Sequence, residues 1–140
     1  MASTDTTPAT GRCRCGTVRW RVDSPALAVS YCHCADCRRA TGAPVTVFVG
    51  FAAERISFEE GRPQAHSRHA GVERLFCGGC GSPIGYRDAG LPGELYFYLG
   101  VMDEPERYRP QCHAFIDEAW RWLSLDDDLL RHQGLSRARQ

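Results

Sequence analysis

The sequence predicts a mainly β fold of antiparallel sheets in a single domain, and three observations carry that prediction. Short runs of β-branched and aromatic residues, separated by Gly, Pro and Asp, outnumber helical segments along the chain. Several of these runs alternate apolar with polar residues, as expected of strands with one buried face. The chain has 140 residues, enough for one core that buries about two thirds of the unfolded surface.

In chain order, residues 1–10 are rich in Ser, Thr, Ala and Pro and read as a disordered tail. Order is expected from Gly11, within a domain covering residues 11–125. Val18, Trp20 and Val22 alternate with polar residues and define a first strand after Gly16. Residues 28–31 form a second strand. Residues 35–40 suit one helical turn that Thr41-Gly42 would stop. Residues 44–51 are apolar almost throughout, as in a strand covered on both faces. Further strands are expected at 55–58, 72–76 and 83–86. The run from Glu94 to Val101 places Leu95, Phe97 and Leu99 on one face and Tyr96 and Tyr98 on the other. Residues 111–116 and 119–123 are short strand candidates, and residues 126–140 form a charged tail.

Composition narrows the function. The 17 basic and 17 acidic residues cancel, leaving no electrostatic footprint for nucleic acid or an anionic membrane. Every basic residue is arginine, so Schiff-base lysine chemistry is unavailable. No signal peptide or long apolar span is visible, and a soluble, cytoplasmic protein is expected.

Eight cysteines in such a protein point to metal, because thiols in a reducing compartment stay available as ligands; a disulfide framework is the alternative. Seven of the eight fall into three groups: Cys13 with Cys15, Cys32 with Cys34 and Cys37, and Cys77 with Cys80. The middle three are close enough in sequence to converge on one metal if the chain turns after Cys34. The remaining four would then cross-link two distant segments. Four thiolates around zinc make a closed, structural site, whereas three protein ligands keep a position open. Two zinc ions per chain are therefore expected.

The central site admits three outcomes: a bound thiol acting as thiolate nucleophile toward an aldehyde, a bound water for hydrolysis, or a closed site without chemistry. His33 lies between two ligands and is either a base or orienting group at the pocket or a histidine bonded to backbone. Arg38 and Arg39 could bind substrate carboxylates by paired hydrogen bonds or form a solvated helix end. Cys112 is either a fourth ligand or a small buried hydrophobe, and His113 is the better candidate for a polar role near the cluster. His66 and His69 fall in a polar loop with no expected role in catalysis.

The segments Cys13-Arg14-Cys15-Gly16-Thr17-Val18, Cys32-His33-Cys34-Ala35-Asp36-Cys37-Arg38 and Phe76-Cys77-Gly78-Gly79-Cys80-Gly81-Ser82 resemble the glutathione-dependent formaldehyde-activating (GFA) family, sometimes grouped with centromere protein V. Arg109-Pro110-Gln111-Cys112-His113 and Trp120 add a weaker match. The resemblance implies a zinc-bound β-tent fold of the Rab-accessory type, a structural zinc at Cys13, Cys15, Cys77 and Cys80, and a catalytic zinc at Cys32, Cys34 and Cys37. It also implies carbon-sulfur lyase activity, making or breaking a thiol-aldehyde adduct such as S-hydroxymethylglutathione, with glutathione as co-substrate. A lyase using another thiol and a non-catalytic zinc-stabilised binding module are the alternatives.

Overall fold

The structure, a computed structural model, describes residues 7–140. Residues 1–6 of the expected disordered tail lie outside the described residues. The rest of that segment leads straight into β1 (Ala9–Arg12), whose alternating burial marks a strand with one face in the core. β1 pairs antiparallel with β2 (Arg19–Val22), and β2 with β5 (Ile56–Glu60), making a three-stranded sheet.

The other sheet has eight strands, in the order β11 (Leu130–Arg131), β10 (Cys112–Ala114), β3 (Ala28–Cys32), β4 (Thr46–Ala52), β9 (Glu94–Tyr98), β8 (Pro83–Asp88), β7 (Val72–Phe76) and β6 (Gln64–His66). The domain is mainly β, as its strand-rich sequence requires. The pairing is not purely antiparallel, however. β10 runs parallel to both β3 and β11, because the chain leaves β9 through two 3-10 turns, Leu99–Val101 and Pro105–Arg107, and returns along the free edge of β3.

The tight turn at Leu99 also ends β9 three residues before the expected Val101. No strand forms at residues 119–123. The N–H groups of Ala119 and Leu123 donate instead to Ile116 and Trp120, closing local turns, and Trp120 and Trp122 are exposed. His66 belongs to edge strand β6 rather than to a loop.

The large sheet has two buried faces with different contents, and strand alternation assigns residues to each. Val49 and Phe51 of β4, with Leu95 and Phe97 of β9, join Val18, Trp20 and Val22 in the core beside the small sheet. There Trp20 lies flat on Phe97, ring centroids 4.6 Å apart and planes 4° apart. Phe48, Tyr96 and Tyr98 belong to a separate cluster with Cys32 and Cys37. The expected split of β9, Leu95 and Phe97 against Tyr96 and Tyr98, therefore separates the core shared with the small sheet from the cluster around Cys32 and Cys37.

Gly50 of β4 makes room for that second cluster, since a Cβ there would stand 2.4 Å from the ring of Tyr96. Gly50→Ala should destabilise the domain by about 1–3 kcal/mol through overpacking and displace Tyr96. Urea unfolding checks this, and unchanged stability would mean that the ring is free to move.

Candidate metal centres and the adjoining cavity

Two turns of similar shape build the first cysteine cluster. Between β1 and β2, the N–H of Gly16 donates to the carbonyl of Cys13 at 3.0 Å, and that of Val18 to the Cys13 sulfur at 3.3 Å. Between β7 and β8, the N–H of Gly81 donates to the carbonyl of Cys77 at 2.8 Å. The two turns face each other, with the N–H of Arg14 donating to Ser82 Oγ at 2.9 Å. Cys13, Cys15, Cys77 and Cys80 are thereby collected with their sulfurs all within 4.8 Å of one another. Since β1 and β2 belong to the small sheet and β7 and β8 to the large one, this cluster sits where the sheets are joined.

The second cluster forms where β3 ends and α1 (Ala35–Thr41) begins. Cys32 closes the strand, Cys34 caps the helix by accepting the N–H of Cys37 on its sulfur at 3.2 Å, and Cys37 lies one turn along. Gly42, in the left-handed region at φ 75°, ends the helix. Sulfur separations are 3.5 Å for Cys32 to Cys34 and 3.6 Å for Cys32 to Cys37. In the first cluster Cys13 to Cys15 is 3.6 Å and Cys15 to Cys77 is 3.8 Å.

These spacings discriminate between metal and disulfide. A disulfide holds its sulfurs about 2.05 Å apart, and all eight cysteines are free. Sulfurs on the corners of a tetrahedron with Zn–S bonds of about 2.3 Å stand roughly 3.8 Å apart. Both clusters fit a zinc-sized, thiophilic ion. Among the described residues the first offers four ligands and the second three, and Cys112 joins neither.

Three thiols so close cannot all ionise without a cation. Hydrogen bonds with Cys34 and Cys37, followed by burial, push the Cys32 thiol far up. For Cys37, the downward pull of Cys32 is outweighed by Cys34 and by burial, which hold it at about 11. Cys34 is drawn down to about 2, chiefly by donation from Cys32 and Cys37. A divalent ion among the three sulfurs would displace their protons.

Arg74 of β7 supplies a fixed positive charge beside this cluster. Its Nη1 and Nη2 both lie 3.5 Å from the Cys37 sulfur. Nη2 also donates to Asp36 Oδ2 at 2.6 Å and Nη1 to the Tyr98 hydroxyl at 2.9 Å, and the guanidinium lies 5.0 Å from the ring centre of Tyr86. The sequence signal for Arg74 is its place on the strand face it shares with Val72 and Phe76, a lone cation between two apolar residues.

Cys32, Cys34, Cys37 and Arg74 line a cavity of about 630 Å³ whose other walls include Tyr86 and Tyr96. His69 borders it as well, despite its expected place in an uninvolved loop. Arg38 and Arg39 do not. Arg38 donates to the carbonyls of His33 and Glu118 and lies over Trp120, while Arg39 is exposed.

His33 also points away from the cavity. It is 2% exposed, and its Nε2 lies 2.8 Å from Nδ1 of His113, whose own Nε2 lies 3.0 Å from Asp127. With Asp127 ionised, His113 carries its proton on Nε2 and accepts from His33, a chain of defined direction. Tyr31 stacks on His113 at 4.6 Å. The expectation of a polar role for His113 near the cluster thus has a specific form: it fixes the residue between two ligands.

His113→Leu keeps most of the volume but strands the buried His33 Nε2–H, and should cost about 1–3 kcal/mol in urea unfolding. Asp127→Ala should cost less, because Asp127 is 24% exposed and water can replace it.

The comparisons with known proteins agree with this architecture. A structure of a Rhodobacter sphaeroides protein superposes with a TM-score of 0.56 at 21% identity, covering 67% of this chain and 87% of that one, a likeness of fold. A Halomonas elongata protein named "Putative glutathione-dependent formaldehyde-activating enzyme" is 24% identical over 127 residues, 83% of this chain and 80% of the relative. The family model described as glutathione-dependent formaldehyde-activating enzyme matches residues 8–118, taking in both cysteine clusters. With the model matching most of its length, the chain belongs to the glutathione-dependent formaldehyde-activating enzyme family.

Proposed function

We propose that the protein is a zinc-dependent carbon-sulfur lyase that joins a thiol to an aldehyde, or splits their adduct, with glutathione and formaldehyde as the family's pair. The observation that carries this reading is the three-thiol cluster opening on a cavity large enough for a small thiol. Cys13, Cys15, Cys77 and Cys80 would hold a structural zinc, and Cys32, Cys34 and Cys37 the catalytic one. A zinc ion held there by Cys32, Cys34 and Cys37 would supply Lewis acidity that favours the thiolate form of a substrate thiol, the nucleophile for an aldehyde carbon.

The chain's own residues prepare that position. Arg74 offsets the negative charge of three thiolates plus a fourth, and donates to the Cys37 sulfur. Asp36 and Tyr98 hold the guanidinium in place. The aromatic walls of Phe48, Tyr86 and Tyr96 limit water around the reacting atoms. In the forming direction the thiol S–H bond breaks, a C–S bond forms and the carbonyl oxygen takes the proton; the reverse direction releases thiol and aldehyde. His33 acts through position, tied to His113 behind the ligand loop.

X-ray absorption of the zinc-loaded protein during glutathione titration tests the assignment. Two zincs per chain are expected, one of which gains a sulfur neighbour; two zincs that both ignore glutathione would refute glutathione as the thiol. Cys34→Ser should abolish adduct formation while the fold and the four-thiol zinc survive. Arg74→Gln should weaken zinc at the central site roughly 10- to 100-fold, read by chelator competition, with the four-thiol site unchanged.

A further inference from the structure

The matched family region ends at residue 118, yet the cavity does not. Leu135, Ser136, Arg137 and Arg139 form part of its wall. The segment carrying them is tied down along its length. β11 pairs with β10, the N–H of Phe115 donates to the carbonyl of Gly134 at 3.1 Å, and the N–H of Gln140 donates to the carbonyl of Gly90 at 2.7 Å.

Its two arginines meet matched partners on neighbouring strands. On β8, Tyr86 and Asp88 are two residues apart and share a face, and the tyrosine hydroxyl donates to Asp88 at 2.8 Å. On β9, Glu94 and Tyr96 repeat the arrangement, with the hydroxyl donating to Glu94 at 2.5 Å. Tyr86 and Tyr96 are direct register partners. Arg139 places Nε and Nη2 on Asp88 Oδ2 at 2.9 and 2.7 Å, while Arg137 places Nε on the Tyr96 hydroxyl at 3.1 Å and Nη2 on Glu94.

Each guanidinium is held by one edge. The carboxylates that hold them are nearly covered, with Asp88 5% and Glu94 16% exposed, whereas Arg139 is 53% and Arg137 38% exposed. Nη1 of both arginines is committed to none of these partners. A planar guanidinium fixed on one edge by a buried acid presents its other edge as a preset donor for a second carboxylate.

We propose that Arg137 and Arg139 of the C-terminal segment select the thiol, by binding the carboxylates of a carboxylate-bearing thiol whose sulfur lies toward Cys32, Cys34 and Cys37. This deepens the lyase reading and rests on it for the placement of the sulfur. Neutral thiols and those with masked acids would gain nothing from these residues. The arginines are specificity-determining residues and touch no reacting atom.

The test uses the zinc-loaded full chain and two probes that lack a free thiol, S-methylglutathione and its diethyl ester, titrated by calorimetry. The unmodified chain should bind the acid more tightly than the ester. Arg137→Gln and Arg139→Gln should each weaken the acid roughly tenfold, the value of a charge-assisted hydrogen bond, and leave the ester unchanged; Arg139→Lys should restore part of the loss. Equal affinity of the unmodified chain for acid and ester overturns the proposal, whichever variants fold. So does an equal loss for both probes in the variants, which would make the arginines clamps of the segment only. Turnover of glutathione with formaldehyde is assayed separately: absent turnover with intact acid selectivity counts against the lyase reading and leaves the selectivity in place.

Discussion

The constraint on which the cavity side of the molecule depends is the crowding of three thiols at the end of one strand. Sulfurs 3.5–3.6 Å apart cannot carry three negative charges unless a cation sits among them, and the surroundings are arranged for that charge. Cys34 caps α1, so the helix N–H of Cys37 points at its sulfur. Arg74 reaches across from β7 to the Cys37 sulfur and is itself held by Asp36 and Tyr98. Behind the loop, His33 is bonded to His113 and so to Asp127. Each contact fixes either one of the cysteines or the charge beside them.

The four-thiol cluster answers a different problem. A three-stranded and an eight-stranded sheet share a core built on Trp20 and Phe97, but hydrophobic packing is non-directional and does not by itself fix the angle between sheets. Two rigid turns, one from each sheet, brought within sulfur-sulfur contact would fix it once bridged by a metal. Binding energy at such a site adds directly to folding energy. The three-thiol cluster runs only from the end of β3 into the first turn of α1; a metal there would join neighbouring segments and not the two sheets.

How far all this was legible in the sequence follows from what each signal encodes. Ligand pairs were visible because Cys13 to Cys15, Cys32 to Cys37 and Cys77 to Cys80 are local, and local spacing survives any tertiary arrangement. The alternation in β9 was visible for the same reason, and it separated Leu95 and Phe97 from Tyr96 and Tyr98 as the structure does. Arg74 was missed because its partners are 24 to 38 residues away in sequence. Arg38 and Arg39 were favoured by adjacency to the ligands, but a helix turns about 100° per residue. Adjacency to Cys37 therefore sends both side chains elsewhere, Arg38 to the carbonyls of His33 and Glu118. The run at 119–123 looked strand-like by composition, yet a strand needs a free edge to pair with, and the edge of β3 is taken by β10.

The same reasoning explains why the charged C-terminal segment carries more of the site than its composition suggested. Residues 126–140 read as a tail because they are charged, beginning with Asp126-Asp127-Asp128. What they contain is polar side chains with distant partners: Asp127 for His113, Arg137 for Glu94 and Arg139 for Asp88. A segment anchored by polar contacts of this kind is held as firmly as the groups it meets are buried, and Asp88 and His113 are both buried. One end of the segment supports the ligand loop from behind, through His113, while the other forms a wall of the cavity in front of it. Under the proposed function, change in this segment would alter which molecules enter the cavity without touching the cysteines, and a fixed centre with an adjustable rim lets one fold serve more than one substrate.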